Sequence, residues 1–273
     1  DMFSGDVNKA KSAAIAVEIL HNFTLLHDDI MDQSPLRRGK ETVYKKFNSN
    51  KAILSGDTMF ALSYKHLLNY DNDIIKDLVE ILTQSSIEVC EGQAFDMEFE
   101  TRNDVKIEEY INMIRLKTGV LLSCALRLGA VTAHCSKENL ELLNEFALNI
   151  GIAFQIQDDI LDCWSDVEVF GKITGKDIID NKKTFLYLKA LEIGSQRQQN
   201  ILQELYSSKN FEPAQKEQVV KSIYEDLKIK ELAEKEMLHY HNLAIQSLEK
   251  INIDNQRKEN LRRFSEKLIN RNK

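Results

Sequence analysis

The chain has 273 residues, of which 43% are hydrophobic and 29% are charged, and its formal net charge at pH 7 is −7. This composition can form a substantial core, and it excludes a disordered or fibrous protein. Only 2 prolines and 10 glycines are present, too few for the many turns of a sheet protein of this length. The fold class is therefore predicted to be all-α, and the negative net charge disfavours a general affinity for nucleic acid.

Apolar residues recur at helical spacing along most of the sequence. The first predicted helix covers 7–32, and Pro35 ends it because the residue before a proline is displaced from the α region. After a polar loop at 33–50, further helices are predicted at 51–70, 73–100, 105–117, 118–134 and 137–164. A loop at 165–180 contains two glycines, and the last of the remaining helices covers 255–270. No low-complexity linker divides the chain, so a single domain covering 1–273 is predicted.

No uninterrupted apolar segment approaches the roughly 18 residues needed to span a bilayer, so stable membrane insertion is not expected. The chain has 4 cysteines, and none of them belongs to a Cys-x-x-Cys pair. They lie in helical, mostly apolar patterns, which predicts buried free thiols and a reducing, cytoplasmic location. These cysteines are Cys90, Cys124, Cys135 and Cys163.

Two acidic boxes of the form Asp-Asp-x-x-Asp lie 130 residues apart, each at the end of a predicted apolar helix. They consist of Asp28, Asp29 and Asp32 and of Asp158, Asp159 and Asp162. Because residues i and i+4 share a helix face, each box stacks like charges near a helix C-terminus, where the macrodipole is already negative. A divalent cation would remove this repulsion, and Mg²⁺ binds through one or two carboxylates together with substrate phosphates. Two such boxes favour a metal role over a solvated acidic face.

Basic residues follow both boxes closely. Arg37 and Arg38 come directly after the first, and the second is followed by Lys172, Lys176, Lys182 and Lys183. Lys117 and Thr118 lie between the boxes, at a predicted helix junction. Arginine suits bidentate phosphate contact and lysine acts as a point charge, so the pattern indicates a phosphorylated substrate.

These motifs resemble the trans-isoprenyl diphosphate synthase (polyprenyl synthetase) family, which includes farnesyl and geranylgeranyl diphosphate synthases. Segments 21–40 and 151–162 resemble its two aspartate-rich motifs, and three further motifs follow the family order: Gly92-Gln93 with Asp96, Lys117-Thr118, and the lysines of 171–182. The resemblance covers essentially the whole chain. It implies a single-domain isoprenoid synthase-type bundle of long helices around a central cavity, and a homodimer. It also implies an enzyme that condenses isopentenyl diphosphate head-to-tail with allylic diphosphates through a carbocation.

For the matching residues the resemblance implies roles in binding metal and diphosphate. Three Mg²⁺ ions are expected, two bound by Asp28 and Asp32 and the third by Asp158, with support from Asp29, Asp159 and Asp162. The allylic diphosphate is expected to bind Arg37, Lys117, Lys172 and Lys182.

The resemblance implies two further groups of residues. His21 and Arg38 would face the diphosphate of isopentenyl diphosphate, and His21 lies two helical turns before Asp28, on the same face. Thr118 and Gln155 would stabilise the developing carbocation, with Gln93 and Asp96 in support. The residues expected to be catalytic are then Asp28, Asp32, Lys117, Thr118, Gln155 and Asp158.

One family motif is missing from this sequence. A Gly-Gly-Lys-Arg segment that binds isopentenyl diphosphate precedes the first box in the family, and nothing in 1–20 matches it. We therefore expect this chain to lack an N-terminal helical segment of the family domain.

Two residues on the first-box helix are predicted to set product length. Phe23 lies five residues before Asp28, roughly 7 Å down the helix axis, and Thr24 lies one turn before it. A bulky Phe23 would form the floor of the cavity, while the smaller Thr24 leaves room. In the family this arrangement resembles geranylgeranyl-type enzymes, so a C20 product is favoured, then C15, and C30–C50 products are not expected.

Other functions remain open at this point. A class I terpene cyclase shares the bundle and a first acidic box, but its second metal motif usually differs from Asp-Asp-x-x-Asp. A non-catalytic partner subunit of a prenyl synthase typically loses one box, whereas both are intact here. Two Glu-x-x-His pairs, at Glu18 and Glu236, are typical of di-iron bundles, but a di-iron site would leave both boxes unexplained.

Overall fold

The computed structural model describes residues 2–3, 6–165, 175–207 and 211–270. Long helices dominate this part of the chain, as predicted. The first seven helices are α1 (Lys11–Met31), α2 (Val43–Lys46), α3 (Ser49–Leu67), α4 (Ile75–Thr101), α5 (Ile107–Ile114), α6 (Val120–Val131) and α7 (Lys137–Trp164). Then follow α8 (Lys176–Ile179), α9 (Phe185–Ile193), α10 (Gln196–Ser207), α11 (Pro213–Asp226), α12 (Ile229–Lys250) and α13 (Asn255–Ile269).

The predicted polar loop at 33–50 contains more structure than expected. Strands β1 (Leu36–Arg37) and β2 (Lys40–Glu41) form a small antiparallel hairpin, and α2 follows it. Arg38 and Gly39 form the turn with φ values of 52° and 74°. Two positive φ values match the twist of a two-residue hairpin. Arg37 is therefore held beside the end of α1.

Helix α6 joins the two helices that carry the acidic boxes, because it packs against both α1 and α7. On the α1 side the buried residues Ala13, Ala16 and Leu20 follow helical spacing and pack with Leu128 of α6. On the other side α7 packs against α12 in the larger core. The two helices that carry the boxes are thus both supported by α6.

A π-helical turn, Arg115–Gly119, joins α5 to α6 where a helix junction was predicted. Two glycines allow its neighbours to approach closely. A Cβ on Gly92 of α4 would lie 2.5 Å from Lys117 N, and one on Gly151 of α7 would lie 2.4 Å from Gly119 Cα. Any larger residue would push α4 or α7 away from this turn.

All four cysteines are free, but the prediction that they are buried is only partly correct. Cys124 and Cys163 are buried, whereas Cys135 is partly exposed and Cys90 is exposed. Cys90 lies on the face of α4 that borders a cavity, so its thiol is not enclosed by the core. Within the described ranges, no helix is long and apolar enough to cross a membrane.

Candidate active site

Both acidic boxes lie at helix ends. Asp28 and Asp29 belong to the last turn of α1, and Asp32 caps the helix with its backbone N–H bonded to Asp28 O. The second box occupies the last two turns of α7. Each box therefore meets the negative end of its helix dipole, as predicted.

Two predicted phosphate ligands reach the first box. Arg37 donates from Nε to Asp29 Oδ1 at 2.7 Å and from Nη2 to Asp28 Oδ2 at 3.1 Å. Lys117 donates to Asp96 Oδ2 at 2.6 Å, and its Nζ lies 3.5 Å from Asp28 Oδ1. Asp96 thus orients Lys117 towards the first box, which is consistent with the supporting role expected for Asp96.

The two central lysines keep their charge in this setting. Burial alone would lower the pKa of Lys117, but Asp96 and Asp28 raise it above the ordinary value. Burial acts in the same direction on Lys182, and there Asp96, Asp177 and Asp32 raise the pKa well above normal. Both ammonium groups are therefore available to bind an anion.

Burial is the main cause of raised pKa values among the carboxyl groups of the site. Burial, and then Asp28, raises the pKa of Asp32. Burial also raises the pKa of Asp162, and burial together with Asp162 raises the pKa of Asp177 to about 7. Asp28 Oδ1 is buried and receives no hydrogen bond from any residue that the structure describes. A divalent cation would relieve each of these penalties.

This donor set fits Mg²⁺ rather than a metal that needs a complete protein cage. Among the residues described, no three His, Cys, Asp or Glu side chains form a ready-made metal cluster. Mg²⁺ usually keeps several waters and takes only one or two carboxylates together with substrate phosphates. Two acidic boxes, each at the end of its own helix, suit that mode.

The second box is more deeply embedded than the first. Asp159 is 3% exposed, and its Oδ2 accepts from Tyr110 Oη at 2.5 Å and from Phe185 N at 3.3 Å. Asp162 Oδ2 accepts from Asp177 N at 3.0 Å. Asp158 is partly exposed. Asp159 therefore anchors α7 to α5 and α9, while Asp162, like Asp158, is partly exposed.

A small polar cavity of about 90 Å³ brings residues from several distant segments together. Its lining includes Asp96, Lys117, Thr118, Gln155, Asp177 and Lys182. Thr118 Oγ1 donates to Gln155 Oε1 at 3.2 Å, so the π-helical turn and α7 are bonded at this point. The sequence predicted all of these residues except Asp177.

A larger, mainly apolar cavity of about 620 Å³ begins at the same place. Lys117 and Thr118 line both cavities, so the π-helical turn lies between the polar and the apolar space. Asp28, His21, Phe23 and Thr24 of α1 line the larger one, with Gln93 of α4 and Phe264 and Leu268 of α13. Gln93 Nε2 is buried and has no hydrogen-bond partner within the described part of the chain. The geometry suits a ligand with an anionic head and a long apolar tail.

Phe23 is part of an aromatic row beneath the first box. Its ring lies 4.7 Å from that of His27 and 5.3 Å from that of Phe60, and Phe60 lies 5.3 Å from Tyr64. Thr24 donates to His21 O at 2.8 Å. The ring of Phe23 is thus supported from behind by α3, whereas Thr24 is folded back on its own helix.

Two predicted ligands are not brought into the cleft by the described structure. Arg38 is exposed in the hairpin turn and forms no ion pair with the residues described, whereas His21 lines the apolar cavity. Lys172 lies outside the described residues.

Two residues of the candidate site, Asp177 and Tyr110, were not predicted from the sequence. Asp177 follows the second box in an acidic and lysine-rich segment, and this composition could have indicated it. Tyr110 lies 49 residues from Asp159, and no local pattern predicts their bond.

Comparisons with known proteins agree with this geometry. The model of a family described as polyprenyl synthetase matches residues 2–227. A short chain isoprenyl diphosphate synthase of Methanocaldococcus jannaschii is 42% identical over 224 residues, which are 82% of this chain and 67% of that protein. A geranylgeranyl diphosphate synthase of Methanosarcina mazei is 42% identical over 184 residues, 67% of this chain and 57% of that protein.

The fold is similar to solved structures as well. A crystal structure of geranylgeranyl pyrophosphate synthase superposes with a TM-score of 0.94 at 42% identity, covering 99% of this chain and 84% of that one. The chain spans between 57% and 67% of the length of the two curated relatives above. A family match over most of the chain, a shared all-α fold and two acidic boxes at helix ends lead to one conclusion: the chain belongs to the polyprenyl synthetase family.

Proposed function

We propose that this protein is a trans-prenyltransferase that adds isopentenyl diphosphate to allylic diphosphates and makes geranylgeranyl diphosphate. The observation that carries the proposal is the junction at Lys117 and Thr118, where a polar cavity lined by Asp159, Asp177 and Lys182 meets a large apolar cavity bordered by Asp28. A diphosphate fits the first space and a growing prenyl chain fits the second. The similarity to geranylgeranyl and short-chain isoprenyl diphosphate synthases supports the same reaction.

The acidic boxes would hold Mg²⁺, with three ions expected. Asp28, Asp32 and Asp158 would be the ligands, supported by Asp29, Asp159 and Asp162, and Asp177 faces the same cleft. When bound, Mg²⁺ supplies charge neutralisation and Lewis acidity for a departing diphosphate. The raised pKa values of Asp32, Asp162 and Asp177 support this assignment, since burial makes the charge of each carboxylate costly and a bound cation would offset that cost.

The basic side chains would bind the diphosphate of the allylic substrate. Arg37, Lys117 and Lys182, with Lys172, would stabilise the charge that develops as the carbon–oxygen bond breaks and diphosphate leaves with the electron pair. Because Asp96 holds Lys117 in place, this donor needs little reorganisation during the reaction.

The hydrocarbon part of the reaction would take place beside Thr118 and Gln155. Their oxygen atoms would stabilise the allylic cation while the double bond of isopentenyl diphosphate attacks it. The new carbon–carbon bond leaves a second cation, and loss of a proton to the released diphosphate restores a double bond. No side chain has to act as a strong base. His21 and Arg38 would face the second diphosphate.

The apolar cavity would set product length. Phe23, supported by Phe60, would stop the chain at C20, with C15 the next candidate.

We also propose that the single domain forms a homodimer. Ile53, Leu54 and Leu62 of α3 and Ile87 of α4 are exposed apolar side chains, and their burial against a second copy would remove them from water. Analytical ultracentrifugation would test this, and a monomer at micromolar concentration would contradict it.

Product analysis tests the function directly. Purified protein is incubated with Mg²⁺, labelled isopentenyl diphosphate and, separately, dimethylallyl, geranyl or farnesyl diphosphate. We expect a magnesium-dependent C20 diphosphate. Cyclic hydrocarbons would instead indicate a terpene cyclase, and the absence of elongation would favour a non-catalytic subunit. A C15 product would support the same reaction but would place the floor of the apolar cavity at a residue other than Phe23.

A further inference from the structure

A buried lysine on α11 has no part in the site described so far. Lys216 is 4% exposed, and the other buried residues of its helix are Val220, Ile223 and Tyr224. These positions follow the i, i+4, i+7, i+8 spacing of an apolar helix face. A charged side chain thus stands where packing favours an aliphatic one. Because lysine is almost never fully buried without a partner, its contacts indicate what it does.

The ammonium group of Lys216 is directed at the segment between α8 and α9. It donates to Asn181 Oδ1 and lies 3.5 Å from Ile179 O, and it sits 4.7 Å from the centroid of the Tyr206 ring. Among the described residues, no carboxylate lies within ion-pair distance of it. Burial and the neighbouring Lys183 lower the pKa of Lys216 to about 8. Two of the three partners of the Lys216 ammonium group, Ile179 and Asn181, belong to one turn of the chain.

That turn has an unusual backbone conformation. Asn181 has a φ of 60°, a left-handed value that non-glycine residues seldom adopt. Backbone bonds from Asn181 N to Ile178 O at 3.3 Å and from Lys182 N to Asp177 O at 2.9 Å close the turn. Lys216 holds the Asn181 side chain from 35 residues away in sequence. The turn is thus fixed by its own hydrogen bonds and by the Lys216 side chain, which reaches it from a distant part of the sequence.

Helix α11 also supports the beginning of the same segment. A Cβ on Gly175, which has a φ of 73°, would lie 2.7 Å from the Glu217 carboxylate. On the opposite side Gly175 N donates to Asp162 O at 2.7 Å. The segment that starts at Gly175 is therefore held between the second acidic box and consecutive residues of α11.

The residue that follows Asn181 is Lys182, whose side chain lines the polar cavity with Asp96 and Asp177. We propose that Lys216 is a positioning residue: by holding Asn181 it fixes the ammonium group of Lys182 for the allylic diphosphate. This inference rests on the proposed function, in which Lys182 binds that diphosphate. A displacement of about 1 Å in such a donor is enough to weaken binding, because the contact depends on a pre-set geometry.

The test combines Lys216→Met with Lys182→Ala. Methionine keeps the apolar stem of the side chain and removes the donor. We expect Lys216→Met to raise KM for the allylic diphosphate about fivefold to twentyfold. This increase should be smaller than the one caused by Lys182→Ala, since the Lys182 donor is moved and not removed. KM for isopentenyl diphosphate should change less than twofold. The double variant should be no worse than Lys182→Ala alone, because Lys216 acts through Lys182.

Two variants separate positioning from general damage. Val220→Ala lies one turn further along the same buried face and destabilises α11 without touching the turn, so its KM values should stay within about twofold of wild type. Lys216→Arg keeps a donor and should recover part of the lost affinity. If Lys216→Met gives no folded protein, Asn181→Gly removes the acceptor while tolerating the left-handed φ, and the same cycle with Lys182→Ala applies.

The outcomes distinguish the inference from the function on which it rests. The positioning role of Lys216 would be overturned if the effects of Lys216→Met and Lys182→Ala on KM multiplied in the double variant. Normal KM values for Lys216→Met would also overturn it. If Lys182→Ala itself leaves KM and the Kd of farnesyl diphosphate in Mg²⁺ unchanged, the diphosphate assignment of the proposed function fails instead.

Discussion

Replacing Asp177 with asparagine should make the protein more stable at pH 8 in a chelating buffer. Burial and the neighbouring Asp162 raise the pKa of Asp177 from 3.8 to about 7. The folded protein therefore holds a proton on Asp177 up to about pH 7, whereas the unfolded chain releases it near pH 4. Between these values the folded state binds more protons, so stability falls as pH rises through the window and stays lowered above it.

The size of the stability change follows from how far the pKa of Asp177 is raised. A pKa raised by about 3 units corresponds to about 4 kcal/mol of lost stability above pH 7, at 1.36 kcal/mol per unit. Asp177 is only partly buried and shares the penalty with Asp162, so solvent screening reduces this to about 2 kcal/mol. Asp177→Asn should recover this amount at pH 8, raising Tm by about 4–8 °C, and almost none of it at pH 4.

Thermal and urea denaturation at pH 8, 6 and 4.5 in EDTA measure this difference. Asp180→Asn is the matched control, because Asp180 is exposed and only 3.8 Å from Lys176, and its stability should change by less than about 0.5 kcal/mol. Adding Mg²⁺ with diphosphate should stabilise the wild type more than Asp177→Asn. A variant that is less stable at pH 8, or equally stabilised at every pH, would refute the reasoning.

Three further changes test the structural supports of the site. Tyr110→Phe removes a donor to the buried Asp159 and should lower the free energy of unfolding by about 2 kcal/mol in urea titrations. Phe23→Ala should lengthen the product beyond C20 in the elongation assay, because the floor of the cavity is removed. Gly151→Ala places a methyl group 2.4 Å from the π-helical turn and should destabilise by about 1–3 kcal/mol, whereas Gly129→Ala, with nothing within 4 Å, should stabilise slightly.

Each of these has a result that contradicts it. Normal stability of Tyr110→Phe would mean that Asp159 does not depend on the hydroxyl group. An unchanged product distribution for Phe23→Ala would remove Phe23 from the floor of the cavity. If both glycine variants behaved alike, the close approach of α7 to the π-helical turn would not matter.

Helical periodicity was sufficient to predict most of the fold. The first helix was predicted at 7–32 and α1 covers Lys11–Met31 after a 3₁₀ turn, and α7 matches its predicted range. The loop at 33–50 was less predictable, because the hairpin depends on Arg38 adopting a positive φ that few sequences signal. The family and the all-α fold class predicted from the sequence are confirmed.

Features of the candidate site that depend on local sequence spacing were predictable. Spacing along one helix predicts that Asp28 and Asp32 stack, and order along the chain places cations after each box. Contacts such as Tyr110 with Asp159 and Lys216 with Asn181 join segments 49 and 35 residues apart. Such contacts follow from tertiary packing, which no periodicity in a single sequence encodes.

The π-helical turn at Arg115–Gly119 makes the site sensitive to chain length as well as to side chains. Such a turn amounts to an α-helix with one residue added. Deleting one of the five would close the widened turn into regular helix and would leave the faces of α5 and α6 nearly unrotated, because the widened turn already absorbs the added residue. Lys117 and Thr118 would be drawn into that regular helix and would no longer both border the two cavities. In this segment a single-codon deletion should therefore be more damaging than most substitutions.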